Sequence, residues 1–187
     1  MKSHKEKGPV RVGVVGVGNM GSQHARSILA GRVPGSELTA VCDIRPDRLS
    51  GYGNAATFTD ARALFASGTV DAVVVAIPHP LHVETGIAAF RAGLHLLMEK
   101  PLGIHKAEVE RLLAEPRPGV FSMMFNQRTD PCFQKVRELV RGGAVGRVRR
   151  FAWTITDWFR TDAYYRSSPW RATWTGEGGG VLLNQGV

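Results

Sequence analysis

From residue 10 to about residue 128, short β-branched runs alternate with stretches in which apolar residues recur every three or four positions. That alternation predicts a parallel sheet covered by helices on both faces, a doubly wound α/β domain of the Rossmann kind. The strand candidates are residues 10–15, 38–43, 70–77, 95–98 and 120–125, with a weaker one at 55–58. The run 70–77 is almost wholly apolar, as expected of a central strand buried on both sides. Between the runs, Ala25, Ile28 and Leu29, then Val83, Ile87, Ala88 and Phe90, then Val109, Leu112 and Leu113 fall at helical spacing. Gly31, Gly68 and Gly93 stand where helices should stop.

After residue 128 the pattern changes. A helix is predicted over 130–141 with Phe133, Val136, Leu139 and Val140 inward, followed by a glycine-rich turn and a long strand over 147–158 in which Phe151, Trp153 and Ile155 alternate with polar or small residues. An irregular aromatic-rich stretch, 159–174, leads to the run Gly178 to Gly180 and an apolar segment reaching Val187. Three parts are therefore expected: a flexible basic tail over 1–9, a nucleotide-binding domain over 10–128, and the first part of a second domain over 129–187.

Composition narrows the class. With 187 residues, 43% hydrophobic and 21% charged, the chain can bury a core, and the disordered and fibrous classes drop out. No apolar stretch approaches the ~18 residues of a membrane span, and the run 10–15 after the basic start, interrupted by Arg11, is too short and too β-rich to read as a signal sequence, so a cytoplasmic protein with no membrane partner is expected. The net charge of +8 comes mainly from 18 arginines against 6 lysines, dispersed among apolar-periodic segments. There is no basic reading helix or aromatic stacking platform, so no nucleic-acid partner is expected, while a phosphate-bearing small ligand would benefit from the charge. Cys42 and Cys132 lie 90 residues apart without metal or disulfide spacing and read as buried filler. His79 and His82 lack a third ligand nearby, so no metal site is expected.

The chemistry begins at Gly16-Val17-Gly18-Asn19-Met20-Gly21, directly after the first strand and opening a helix, the context in which this spacing signals a dinucleotide. Gly16 permits the tight turn, Gly18 lets backbone approach a pyrophosphate, and Gly21 allows helix to pack on strand. The helix N-terminus, at Asn19 and Met20, then offers amides and a favourable dipole to the phosphates. Asp43 ends the second strand 22 residues beyond Gly21, near the ~20 expected of a carboxylate that accepts from the adenosine ribose. It favours NAD, because a 2′-phosphate would meet a like charge. Arg45 keeps NADP open, since a guanidinium there can take that phosphate, or it is simply an exposed loop residue.

Further along stand Ile77-Pro78-His79-Pro80-Leu81-His82, Glu99-Lys100-Pro101, Phe125-Asn126-Gln127-Arg128, Trp170-Arg171 and Gly178 to Gly186. Together with the glycine turn, in this order, they resemble the Gfo/Idh/MocA oxidoreductases from Val10 onward. The resemblance implies a Rossmann domain followed by an α+β open-faced sheet domain, of which this chain carries the start. It implies hydride transfer between NAD or NADP and a sugar, inositol, sugar acid or nucleotide sugar, and a homo-oligomer for a full-length form. It places Ile77, Pro78, His79, His82, Glu99, Lys100 and Asn126 along the coenzyme, with Trp170 and Arg171 approaching coenzyme or substrate. Lys100 is implied as the proton-relay residue and Pro101 as a cis-proline site. Read from the residues alone, Lys100 ends a strand of an open sheet and points into the crevice where ligands bind, or is a surface lysine; His79 and His82 read as loop histidines or as ones that cap or pack a helix, and it is the resemblance that lines them along the cofactor.

Where family members commonly carry an aspartate followed four residues later by a catalytic histidine, this chain has Asn184, which the resemblance places in the aspartate's position as a catalytic residue beside Lys100, and ends at Val187. The expectation is a shortened chain that binds coenzyme but turns over little alone. A non-catalytic nucleotide- or sugar-sensing protein and an NAD-dependent glycosidase relative are the competing readings.

Overall fold

The computed structural model describes residues 8–117, 119–154 and 159–186. Six strands, β1 (Val10–Val15), β2 (Ser36–Cys42), β3 (Ala56–Phe58), β4 (Ala72–Val75), β5 (His95–Met98) and β6 (Phe121–Met123), form one sheet in the order β3-β2-β1-β4-β5-β6. Every neighbouring pair is parallel. The order reverses between β1 and β4, so the chain leaves these adjacent strands in opposite directions and opens a crevice at their carboxyl ends.

Side-chain alternation along the strands feeds two cores. On one face Val73, Val75, Leu96 and Met98 pack with Leu64 and Phe65 of α2 (Ala61–Ala66), Val83, Ile87 and Phe90 of α3 (His82–Arg91), and Leu112 of α4 (Lys106–Ala114). On the other, Val12, Val14, Val41 and Val74 pack with Ala25 and Ile28 of α1 (Asn19–Leu29). The expected helix stops are present, with Gly31, Gly68 and Gly93 all at positive φ just beyond α1, α2 and α3.

The second part of the chain departs from expectation. Helix α5 (Pro131–Arg141) forms, because Asp130 accepts the Cys132 amide at 2.8 Å and Pro131 supplies a first-turn φ. Its apolar face is not inward: Phe133, Val136, Leu139 and Val140 are 42, 53, 39 and 44% exposed, and Cys132, expected to be buried, is exposed as well. Residues 147–154 pair with no strand, and the rest of the expected strand, 155–158, lies outside the described residues, as does the tail 1–7. Both differences have one cause: an amphipathic helix and a strand are stabilised by what they pack and pair with, and no described segment supplies either.

The aromatic-rich stretch holds a short helix, α6 (Asp162–Arg166), and the glycine run sits between α7 (Trp174–Glu177) and α8 (Val181–Asn184). Helix α7 packs against the 3-10 turn His79–Leu81 that follows β4. Gly178, at φ +70°, lies so close to Ile104 that a Cβ there would come within 2.4 Å of it. Those contacts fasten residues 170–184 over the crevice of the first domain.

Candidate functional site

Gly16, Asp43, Ile77, Glu99 and Asn126 each follow a strand, so the topology alone brings them to the carboxyl edge of the sheet. The three glycines of the turn divide the work. Gly16 is held at φ +84° with its amide on the Cys42 carbonyl at 2.7 Å, and a Cβ there would lie 2.5 Å from the Ala76 oxygen. At Gly21 a Cβ would fall 1.7 Å from the Gly16 oxygen, which is why α1 can lie directly on the turn. Gly18 is different: the nearest protein atom to its Cβ position is a guanidinium nitrogen of Arg48 at 3.6 Å. Gly18 caps α1 with no side-chain hydrogen bond, and Asn19 and Met20 are exposed at its first turn. An uncapped helix start above an open glycine is a cradle for an anion.

Asp43 is buried at 7% exposure, yet its carboxylate is anchored by backbone. Oδ2 accepts the Val17 amide at 3.0 Å and Oδ1 accepts the Arg45 amide at 2.9 Å. The carboxylate therefore braces the glycine turn. The Arg45 side chain turns away to pair with Asp47 at 2.7 Å on the surface. The cation beside the turn is Arg48, 3.8 Å from Asp43 and nearest to Gly18. Arg48 was not singled out from the sequence; its place at the end of the Pro46–Arg48 3-10 turn is what returns it to Asp43.

Past β4, Ile77 and Pro78 are half-buried and lead into His79, which is 8% exposed and packs edge-on against Trp170 at 4.7 Å between ring centroids. Nδ1 of His79 is buried with no hydrogen-bond partner. Burial, together with the charges of His82, Lys100, Arg171 and Arg160, pushes its pKa down to about 4. The ring is thus neutral at neutral pH, and the unfolded chain, with an ordinary histidine near 6.5, binds the extra proton first. Stability should therefore be lost as pH falls from about 6.5 to about 4, and His79→Gln should shrink that loss, measured by urea unfolding at pH 7 and pH 4.5.

His82 is fully buried between two carbonyls, Nδ1 lying 2.7 Å from Pro101 O and Nε2 2.9 Å from Ile77 O; burial lowers its pKa, and the neutral ring donates its one N–H to one of them. It ties the loop after β4 to the loop after β5 and has no exposed surface to offer a ligand. Arg171 and Arg160 both donate to the hydroxyl of Tyr164 and both lie over its ring, at 4.1 and 4.4 Å. Trp170 and Arg171 are half-buried above the β4 loop, while Asn126 is exposed in the 3-10 turn Asn126–Thr129 after β6.

At the end of β5, Glu99 is buried and fully engaged. Oε1 meets His24 Nε2 at 2.7 Å and Oε2 accepts the Lys100 amide at 3.2 Å. His24 lies two turns into α1, and its pairing with a residue 75 positions away leaves no trace in local sequence. The Lys100–Pro101 peptide is cis. The Lys100 ammonium reaches across to α8, donating to the backbone oxygen of Asn184 and, at 3.0 Å, to its Oδ1. Burial holds the Lys100 pKa below the usual lysine range; Arg160 pushes the same way, while Glu99 and Glu177 oppose it.

This geometry is that of a nicotinamide-dinucleotide-binding α/β domain with a lysine at its crevice. Residues 10–117 match the model of an oxidoreductase family with an NAD-binding Rossmann fold, and residues 133–187 match a GFO/IDH/MocA C-terminal domain. The chain belongs to the GFO/IDH/MocA oxidoreductase family. It is 33% identical over 144 residues to myo-inositol 2-dehydrogenase of Thermotoga maritima, covering 74% of this chain and 42% of that protein. Over its whole length it is 32% identical to dTDP-3,4-didehydro-2,6-dideoxy-alpha-D-glucose 3-reductase of Actinomadura kijaniata, 56% of which it covers. Among solved structures, the WlbA dehydrogenase of Bordetella pertussis, in complex with NADH and UDP-GlcNAcA, superposes with a TM-score of 0.79 at 29% identity, over 95% of this chain and 56% of that one. The chain thus spans about half the length of the relatives it matches. No helix among the described residues is long and apolar enough to cross a membrane.

Proposed function

We propose that this chain binds a nicotinamide dinucleotide, NAD in preference to NADP, and carries the coenzyme and proton-handling half of an oxidoreductase site for a sugar, inositol, sugar acid or nucleotide sugar. The observation that carries the reading is Gly18: a backbone position open to the outside, over an uncapped helix, between two glycines that the fold itself requires. The domain division at residues 128 and 129 follows from the same reading.

The residues fit the coenzyme. Gly18 and the first turn of α1 would hold the pyrophosphate, Asp43 the adenosine ribose, and the loops at His79 and Lys100 the nicotinamide end. When bound, the coenzyme supplies or accepts the hydride. Lys100 holds the proton at Nζ opposite the reacting hydroxyl or carbonyl, and its burial eases the proton's release. The Lys100 Nζ contacts in this chain are to Asn184, whose amide does not relay protons. Binding with little or no turnover by this chain alone is the expected outcome.

Titration of NADH and NADPH fluorescence tests both parts. NADH should bind at least about tenfold more tightly, because a 2′-phosphate would meet the Asp43 carboxylate. A reversed preference would assign the ribose end to Arg48, which stands beside Asp43, and absence of binding by either would overturn the reading. Robust turnover on a polyol or sugar panel would refute the expectation for the chain alone.

A further inference from the structure

Glu177 is a carboxylate with 7% exposure at the end of α7, at a position no nucleotide-binding or lysine motif includes. Both of its oxygens are committed. Oε2 accepts the amide of Ala172, the one non-glycine residue at positive φ (56°) among those described, and Oε1 accepts from Asn184 Nδ2 at 3.2 Å. The other end of the Asn184 amide, Oδ1, accepts from Lys100 Nζ at 3.0 Å.

We propose that Glu177 is the positioning residue of this site: by accepting only, it fixes which way the Asn184 amide faces, and so presents an oxygen to Lys100. The proposal rests on the reading of Lys100 as the proton-handling residue. An asparagine amide has nearly the same shape in its two flipped orientations, so shape does not choose between them. A carboxylate can only accept, and an ammonium can only donate. Between them the amide has one orientation in which both contacts are bonds and one in which both are repulsive. Glu177 also holds Ala172 in its left-handed turn, directly after Trp170 and Arg171, so a single side chain ties that segment to the lysine.

Glu177 also acts on the charge of Lys100. Around that ammonium stand Glu99 and Glu177, which favour its charged form, and Arg160, which opposes it along with burial; His79 lies near enough to be shifted by it. Removing the Glu177 charge should make Lys100 a stronger nucleophile at neutral pH.

The test is acylation of Lys100 by acetic anhydride as a function of pH, read by peptide mass spectrometry on the full chain, with NADH titration in parallel. Glu177→Gln should raise the labelling rate at neutral pH by about tenfold and move the midpoint down. The swap Glu177→Gln with Asn184→Asp restores the donor order: the introduced amide donates to the introduced carboxylate, which accepts from Lys100. It should return the midpoint to the parent value or above. Identical profiles for the parent and Glu177→Gln would overturn the proposal, as would a swap that behaves like the single variant. Should Glu177→Gln fail to fold, the swap alone decides: a folded swap with the parent profile supports the pairing, and an unfolded one overturns it. A parent that binds no NADH while the labelling shift is present would sink the coenzyme reading and leave the Glu177 pairing standing.

Discussion

A Gly18→Val chain is expected to unfold at the same urea concentration as the parent and to bind NADH at least a hundredfold more weakly, a loss of about 2.7 kcal/mol or more. The backbone at Gly18 is extended, at φ −69° and ψ −152°, without the positive φ that reserves Gly16 for glycine, and the nearest atom to an added Cβ is the flexible end of Arg48. The fold therefore has no use for a glycine there. A valine would instead stand where the pyrophosphate must approach the amides of Asn19 and Met20. Gly21→Ala supplies the contrast: its methyl would fall on the Gly16 oxygen, so stability and binding should fail together. If Gly18→Val binds NADH as the parent does, the phosphates do not lie on this turn, and the functional reading loses its foundation.

The first domain was legible because its signals are local. A β-branched run buried on both faces, a helix with one apolar stripe and a glycine at each helix stop are determined within a few residues, and all six strand candidates formed at or inside their expected limits except at the start of β2, which begins at Ser36 instead of Leu38. Helix α5 was legible for the same reason, through Asp130 and Pro131. The burial of its apolar face was not, and neither was the pairing of residues 147–154, because both depend on distant partners. Phe133 meets Trp153 at 6.2 Å between ring centroids and stays 42% exposed, where a core was expected.

The site divides along the same line. The glycine turn, Asp43 and Lys100 sit at strand ends, and strand ends of a parallel sheet converge on one edge by topology. His24, Arg48 and Glu177 act through partners 75 positions away, across a surface turn, and between two short helices, and no periodicity marks them. Arg45 shows the converse. Its position beside Asp43 suggested a phosphate ligand or an exposed loop residue, and its side chain pairs with Asp47 at the surface.

His82 is the buried joint between the loops after β4 and β5, and its removal is the second large effect expected. His82→Leu conserves the bulk of the ring but removes the one N–H that the neutral imidazole gives to the Pro101 or the Ile77 carbonyl. The orphaned acceptor costs about 1–3 kcal/mol of a stability that for domains of this kind is typically about 5–15 kcal/mol. Urea unfolding should show a midpoint lowered accordingly, with the slope unchanged. His82→Gln retains donors on one nitrogen and should lose less. Because the two carbonyls belong to the loops that carry His79 and Lys100, NADH affinity should fall in both variants even under conditions where they remain folded. A His82→Leu chain as stable as the parent would show that the two loops are held by their packing, with Ile77 and Pro101 satisfied by other donors. The ordering of Lys100 would then have to come from Asn184 and Glu177 alone.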